Sequence, residues 1–250
     1  MKNKLLGFSL KYLLPLGFWL GIWQIMSFIV SNSFLLPGIP ETASELVGLF
    51  SSKGFYLAVL LSTIRVIIGL LLGILLGFLL ALLCRRSKIC SSLILPLISI
   101  IKSTPVASFI VVLWVLLSGD GLSIFIGFLM VMPIILQNTL DGYNAIDKGL
   151  SEVADIFEFS TSKRFKLLIF PTLKSYLAPA IITASGLCWK AEIAAEIIAY
   201  TKRSIGQGIN DAKYEMNTAK VFAWTVVIIT FSILLERVTK RILGRAKKCA

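Results

Sequence analysis

One unbroken apolar stretch, residues 66–84, constrains this chain more than any other feature, because every residue in it is hydrophobic or glycine. A helix needs roughly 20 such residues to cross the hydrocarbon core of a bilayer. Over all 250 residues, 57% are hydrophobic and only 15% are charged, whereas a soluble domain has about 25% charged residues. The pattern therefore predicts a membrane protein.

Apolar runs predict six membrane-spanning helices, and hence an all-α, polytopic membrane helix bundle. The spans lie at about 12–30, 62–84, 93–117, 122–140, 176–200 and 221–235. The third span is interrupted by Lys102, Ser103, Thr104 and Pro105. The chain contains neither an internal repeat nor a linker rich in proline, glycine and serine, which predicts a single membrane domain.

The positions of lysine and arginine indicate the orientation. With the N-terminus inside, most basic residues fall in inner segments, and the outer segments hold only Lys53, Lys202, Arg203, Lys213 and Lys220. The chain is therefore predicted to be a multi-pass protein of the cytoplasmic membrane with both termini in the cytosol. The net charge of +12 is assigned to contact with the lipid bilayer and not to nucleic acid, because no basic patch is interleaved with stacking aromatics.

Several kinds of chemistry are excluded by composition. The chain has no histidine, which removes imidazole metal ligands and histidine-based catalysis. Four cysteines without ligand-like spacing predict neither a metal site nor a disulfide framework; they are Cys84, Cys90, Cys188 and Cys249.

Small residues recur at every fourth position of the second span, at Gly69, Gly73, Gly77 and Ala81. At that spacing they share one face of a helix and allow close approach of a second backbone. We predict a helix-packing face here. The alternative is that these glycines reflect only the frequency of glycine in membrane helices.

The long inner loop, residues 141–175, has the pattern of two short amphipathic helices. Ser151 is predicted to cap the first helix, residues 160–162 to interrupt the pattern, and Pro171 to close the second helix. The apolar side of such a bent pair suits a groove on a partner protein. The alternative is a helix that lies among the lipid headgroups.

This loop resembles the EAA loop of ABC-importer permeases. The family pattern has Glu-Ala-Ala, a glycine six positions after the glutamate, and Leu-Pro ending nineteen positions after it; here those places hold Glu152, Val153, Ala154, Glu158, Phe170 and Pro171. The resemblance implies that the loop couples to an ATPase, through Ile156, Phe157 and Ser160 as well. Glu158 replaces the glycine that would ease the bend, which puts the geometry of the turn in question.

Three further motifs resemble the same family, in the same order. They are STIRVIIG at 62–69, PIILQNT at 133–139, and Trp189 followed by AAE at 194–196 and IG at 205–206. The resemblance is strongest to the permeases of the nitrate, sulfonate/taurine and bicarbonate group, which also includes transporters of pyrimidine precursors. The resemblance implies a translocation path for a small solute that is anionic and sulfonate- or nitrate-like, or pyrimidine-like. It implies a type I ABC importer (MetI-like) fold with a permease core at 56–243, preceded by a first helix and outer loop at 1–55 and followed by a basic tail at 244–250.

The resemblance also implies partners. They are a second copy of this chain, two ABC ATPase subunits, and an extracytoplasmic substrate-binding protein. The chain has no GxxxxGK[ST] phosphate loop, so we expect it to bind no cofactor and ATP and Mg²⁺ to be bound by the partner ATPase.

Ionisable residues inside predicted spans are candidates for the translocation path, because charge is costly within a bilayer. The fifth span contains Lys190, Glu192 and Glu196, with Trp189 one turn from Glu192 on the same side. The alternatives are a structural ion pair for the carboxylates, or extension of the Glu196 side chain to the outer interface near Tyr200. In the third span, Lys102 and Pro105 are predicted to form a kink that faces the path. Alternatively, Lys102 lies near the inner surface.

Two other functional classes remain open at this point. A self-sufficient secondary transporter or channel would use Lys190, Glu192 and Glu196 for ion coupling. A membrane enzyme would be restricted to carboxylate chemistry, and an adjacent ATPase gene would favour the importer over both.

Overall fold

The computed structural model describes residues 2–117 and 119–248, with side chains described from residue 13 to residue 244 apart from 118. Its helices are α1 (Lys2–Val30), α2 (Ile39–Phe50), α3 (Lys53–Arg86), α4 (Lys88–Ser103), α5 (Val106–Trp114), α6 (Asp120–Asn144), α7 (Lys148–Ile156), α8 (Thr161–Arg164), α9 (Phe170–Ile198), α10 (Ile205–Tyr214) and α11 (Thr218–Lys248). A π-helical segment, Phe165–Ile169, joins α8 to α9. The described residues contain no strand, which confirms the all-α prediction.

Five of these helical stretches are long and apolar enough to cross a membrane. They are the part of α1 at Leu13–Val30, the helices α3 and α6, the continuous stretch Thr161–Ile198, and the part of α11 at Thr218–Gly244. The sixth predicted span is a bent pair, because α4 and α5 meet at an angle of 101° across Thr104 and Pro105.

Contacts with α6 show the direction in which α4 and α5 follow one another along the bundle. Ile98 and Ile101 of α4 pack in one cluster with residues near the middle of α6, namely Leu129, Met132 and Leu136. Ile110 of α5 packs with Leu122 and Ile126, near the start of α6. The chain therefore advances along α6 through α4 and α5, and together they form one broken span.

The centre of the bundle is the packing of α3, α6 and α9. A Cβ atom on Gly73 would lie 2.5 Å from the Cβ of Val131, and one on Gly77 would lie 2.6 Å from the carbonyl oxygen of Met132. Both positions therefore need glycine, because any side chain would overlap α6. Gly69 approaches the same helix, and Ala81 is fully buried.

Two short helices at one end of the bundle were not predicted. The segment expected to be an outer loop contains α2, whose start is held by Glu41, because the Gly38 N–H donates to Glu41 Oε2 at 3.1 Å. The segment after α9 forms α10, capped by Ser204. Asn217 Nδ2 donates to Glu45 Oε1 at 2.8 Å and so joins the start of α11 to α2.

Two predicted features fall partly outside the described residues. Cys249, in the basic tail predicted at 244–250, lies outside them, as does Ser118 in the predicted turn between the third and fourth spans. The helix α11 extends to Lys248, so its described part is longer than the predicted span at 221–235.

Candidate functional site

The bent loop, which we define as residues 147–164, contains α7, α8 and the turn between them. Asp147 caps α7, because its Oδ1 accepts a hydrogen bond from the Leu150 N–H at 2.9 Å. The prediction that Ser151 is this cap is wrong. Ser151 lies within α7, and its hydroxyl accepts a hydrogen bond from Arg164 of α8 instead.

The turn of the bent loop lies at Glu158, two residues before the predicted interruption at 160–162. Glu158 has φ +47°, in the left-handed region. Its N–H donates to the Asp155 carbonyl at 3.1 Å, and the N–H of Phe159 donates to the Ala154 carbonyl at 2.9 Å. These two bonds form a Schellman motif, the usual way in which a helix ends at a left-handed residue. Ser160 then caps α8 instead of breaking the pattern.

The two arms of the bent loop are held together by Arg164. Its Nη1 lies 2.6 Å from Asp155 Oδ1, so α8 is tied to the last turn of α7. Ala154 is buried beneath the turn, whereas Ile156 and Phe157 expose 77% and 71% of their surface. Glu152 and Val153 are also exposed. Ile156 and Phe157 therefore project outward from a turn that the Arg164–Asp155 ion pair holds in place.

Pro171 does not close the second helix as predicted. It lies in the first turn of α9, and the chain is helical without interruption from Thr161 to Ile198. A proline ring clashes with the carbonyl four residues earlier in a regular α-helix. The π-helical segment just before Pro171, in which the Phe170 N–H donates to the Phe165 carbonyl, widens the helix there and accommodates the ring.

A second group of polar residues, the charged cluster, lies at the opposite end of the bundle and consists of Ser62, Arg65, Asp120 and Glu196. Arg65 is 4% exposed, and its Nη1 lies 2.9 Å from Glu196 Oε1. The same guanidinium lies 2.7 Å from Asp120 Oδ1. Its Nη2 also donates to the Lys202 carbonyl at 3.3 Å. Arg65 thereby connects α3, the start of α6, the end of α9 and the turn that follows it.

Glu196 is nearly completely buried, and its carboxylate is well supplied with donors. The Ser62 hydroxyl lies 2.8 Å from both of its oxygens, and the Gly206 N–H donates to Oε2 at 3.3 Å. Ser62 in turn accepts a hydrogen bond from the Ile205 N–H at 3.0 Å. The charge of Glu196 is therefore paired and hydrogen-bonded within this chain, as a buried charge requires.

Glu192 is buried without a cation. Its Oε1 accepts a weak hydrogen bond from the Cys188 thiol at 3.6 Å, and its Oε2 has no partner among the described residues. The side chain fills space left by two glycines, since a Cβ on either Gly69 or Gly127 would overlap its carboxyl group. The Glu192 carboxyl group is thus closely packed between α3 and α6.

The other predicted path residues lie elsewhere. Trp189 faces α11, where its Nε1–H donates to the Ile228 carbonyl at 3.1 Å and its ring stacks on Phe231. It therefore does not share a face with Glu192. Lys190 is exposed and forms no ion pair within the described residues, and Lys102 and Pro105 are exposed at the break between α4 and α5. The described residues of this chain do not bring these side chains into one lining.

Comparison with known proteins decides the family. Residues 73–248, most of the chain, match the model of the family described as "binding-protein-dependent transport system inner membrane component". The chain belongs to this family of ABC-importer permeases. The permease is 30% identical over 210 residues to the nitrate import permease protein NrtB of Synechococcus elongatus, which covers 79% of this chain and 75% of that one.

Two further relatives have related names. The permease is 28% identical over 250 residues to the bicarbonate transport system permease protein CmpB of Synechococcus elongatus, covering 94% and 88% of the two chains. It is 29% identical over 107 residues to the putative aliphatic sulfonates transport permease protein SsuC of Bacillus subtilis, covering 40% and 38%. These names agree with the nitrate, bicarbonate and sulfonate group that the motifs indicate.

Arg65 and Asp120 of the permease were not among the predicted site residues. Arg65 lies inside the predicted second span, so the rule that selected Glu196, that charge within a bilayer is costly, applies to it equally. Nothing in the sequence marks Asp120, because a carboxylate in a glycine-containing turn is common. The described residues contain no group of side chains suited to a metal ion.

Proposed function

We propose that this permease forms, with a second copy of itself, the translocation path of an importer for a small anionic solute, and that the bent loop docks on a separate ATPase. Nitrate, bicarbonate and sulfonate in the names of its relatives support the solute class. In this proposal the bent loop faces the cytosol, both termini are cytosolic, and a substrate-binding protein delivers the solute to the α2 and α10 end. ATP and Mg²⁺ are bound by the ATPase.

The observation that carries the docking proposal is the exposure of Ile156 and Phe157 on a turn that the Arg164–Asp155 ion pair stabilises. Large exposed apolar side chains on a rigid surface are typical of an interface. The same bend carries the exposed carboxylates of Glu152 and Glu158, which anionic lipid would repel, and this favours a groove in a protein over a headgroup layer.

A continuous helix from this loop to the charged cluster supports coupling of the ATPase to the membrane-spanning helices. The helix that starts at Thr161, directly after the turn, continues to Ile198 and carries Glu196 near its far end. A displacement of the bent loop by an ATPase would therefore be transmitted along one continuous helix to the cluster that joins α3, α6 and α10. In this view Glu196 positions these helices relative to one another.

Co-purification tests the docking proposal. Replacement of Ile156 and Phe157 by Asp places charge on the proposed contact, and we expect retention of the ATPase on the tagged permease to fall at least about tenfold, since hot-spot side chains contribute on the order of 2 kcal/mol each. The control is the double variant Thr161→Asp, Ser162→Asp, which adds the same two negative charges at exposed polar positions of the same loop. Full retention of the ATPase by the double variant of Ile156 and Phe157 would show that these side chains are not the docking surface.

A further inference from the structure

Lys102 is the last-but-one residue of α4 and lies at the break in the broken span. The cluster around Ile101 is at the middle of α6, and the cluster around Ile110 is near the start of α6. Lys102 lies between the two. Since α6 crosses the membrane from end to end, Lys102 is at a depth within the hydrocarbon core and not at the inner surface.

No counter-ion accompanies Lys102 among the described residues. The carboxylate at comparable depth is Glu192, which is enclosed by α3 and α6; Glu196, one helical turn nearer the end of the bundle, is paired with Arg65. The hydroxyls of Ser103 and Thr104 donate to the Ile100 carbonyl at 3.0 and 2.8 Å, so they stabilise the break in the backbone. Lys102 itself is exposed on the surface of the subunit.

An exposed lysine at this depth cannot lie against lipid without a large cost in free energy. This face of α4 and α5 must therefore border a space that contains water. In the proposed homodimer, that space is the translocation path between the two copies.

We propose that Lys102 binds the transported anion within the path and makes the permease selective for anions over cations. The inference rests on the proposed function, in which two copies enclose the path and each contributes one Lys102. Two ammonium groups without carboxylates attract an anion and repel a cation. The ammonium is a compact charge with three donors, which suits a small oxyanion of variable orientation. This role is distinct from that of Glu196, which is neutralised within its own subunit.

The test uses the assembled permease–ATPase complex in lipid nanodiscs, with the native cysteines replaced and Ser103→Cys as a reporter beside Lys102. Anionic and cationic methanethiosulfonate reagents of similar size compete for the reporter. We expect the reporter to react from water, and the rate ratio of anionic to cationic reagent to fall about tenfold in the Lys102→Gln variant, as removal of one nearby charge predicts. Lys102→Arg, which retains the charge, should keep the ratio.

The control reporter is Ser44→Cys on the exposed side of α2, where Lys102→Gln should leave the ratio unchanged. Binding is tested by protection of the reporter. Nitrate, bicarbonate or ethanesulfonate should slow the reaction of the cysteine at position 103 more than chloride at the same concentration does. This protection should occur in the complex that retains Lys102 and not in the Lys102→Gln variant. An unreactive reporter, an unchanged ratio, or protection by none of the three anions would overturn the inference. Retention of the ATPase is measured on the same samples, so a failure of the proposed docking is recognised separately.

Discussion

At the scale of single residues, the bent loop forms without the residue that the family pattern has at its turn. Glu158 takes φ +47°, a conformation that costs an L-residue roughly 1–2 kcal/mol and that glycine adopts freely. The two Schellman hydrogen bonds and the Arg164–Asp155 ion pair hold the turn despite this cost. The departure from the family pattern therefore places a residue with a side chain in a left-handed conformation, and we expect its effect in the stability of the turn.

Glu158→Gly should stabilise this permease. We expect the free energy of unfolding to rise by about 0.5–1 kcal/mol, because relief of the left-handed strain exceeds the extra chain entropy of glycine. Thermal unfolding in detergent measures the change. The control is Glu158→Ala, which removes the same carboxylate and keeps the strain. Equal stability of the glycine and alanine variants would contradict the assignment of strain to this residue.

The two ion pairs of Arg65 should differ strongly in their contribution to the free energy of unfolding. Glu196 is buried, so Arg65→Gln leaves an uncompensated charge, and we expect it to lower the free energy of unfolding by about 3–5 kcal/mol. The Asp120 side chain is 68% exposed, and Asp120→Asn should cost less than about 1 kcal/mol. Denaturation of the purified variants measures both. Similar losses for the two variants would mean that the burial of Glu196 is not what makes its pairing important.

At the scale of helices, the close contact of α3 with α6 depends on the glycine stripe. Gly73 and Gly77 bring the two backbones together, and the space at Gly69 and Gly127 is filled by Glu192 of α9. The stripe therefore does more than pack one pair of helices. It also makes room for a buried carboxyl group from a third helix.

A methyl group at Gly73 tests this packing. Gly73→Ala should destabilise the bundle by about 1–3 kcal/mol, the usual cost of overpacking, because the new Cβ would overlap Val131. Gly21 of α1 offers a matched control, since no atom lies within 4 Å of the position of its Cβ. Gly21→Ala should be neutral or slightly stabilising through helix propensity. If thermal unfolding shows the two substitutions to be equivalent, the stripe is not a packing face.

At the scale of the whole molecule, the polypeptide passes six times between two unlike ends. One end carries α2, α10 and the charged cluster, and the other carries the bent loop. The continuous helix 161–198 connects them. In the proposed function, this continuous helix connects an ATPase on one side of the membrane to the helices at the other side.

The proposed orientation predicts which end meets which solution. A cysteine introduced at Ser44 of α2 should be labelled by a membrane-impermeant maleimide added to intact cells. A cysteine introduced at Ser162 of α8 should be labelled only after the membrane is permeabilised. Both positions are exposed in one subunit, which makes them a matched pair. The native cysteines are first replaced. Labelling of Ser162→Cys in intact cells would reverse the orientation and remove the bent loop from any cytosolic ATPase.

The sequence by itself determined the membrane environment, the number of spans, the stripe of small residues and the existence of a bent amphipathic loop. These follow from local patterns of apolar, small and charged residues, whose physical consequences do not depend on distant parts of the chain. The same patterns missed α2 and α10, because short helices that pack on one end of a bundle have too few turns for a clear period.

Only the tertiary structure decided the partners of the charged residues. Glu196 is separated from Ser62 and Arg65 by more than a hundred residues, yet it is neutralised by them. Trp189 and Glu192 are neighbours on one helix and face different elements. Whether a charge within the bilayer is paired or faces the path depends on which helices meet around it, and this depends on the packing of all three central helices at once.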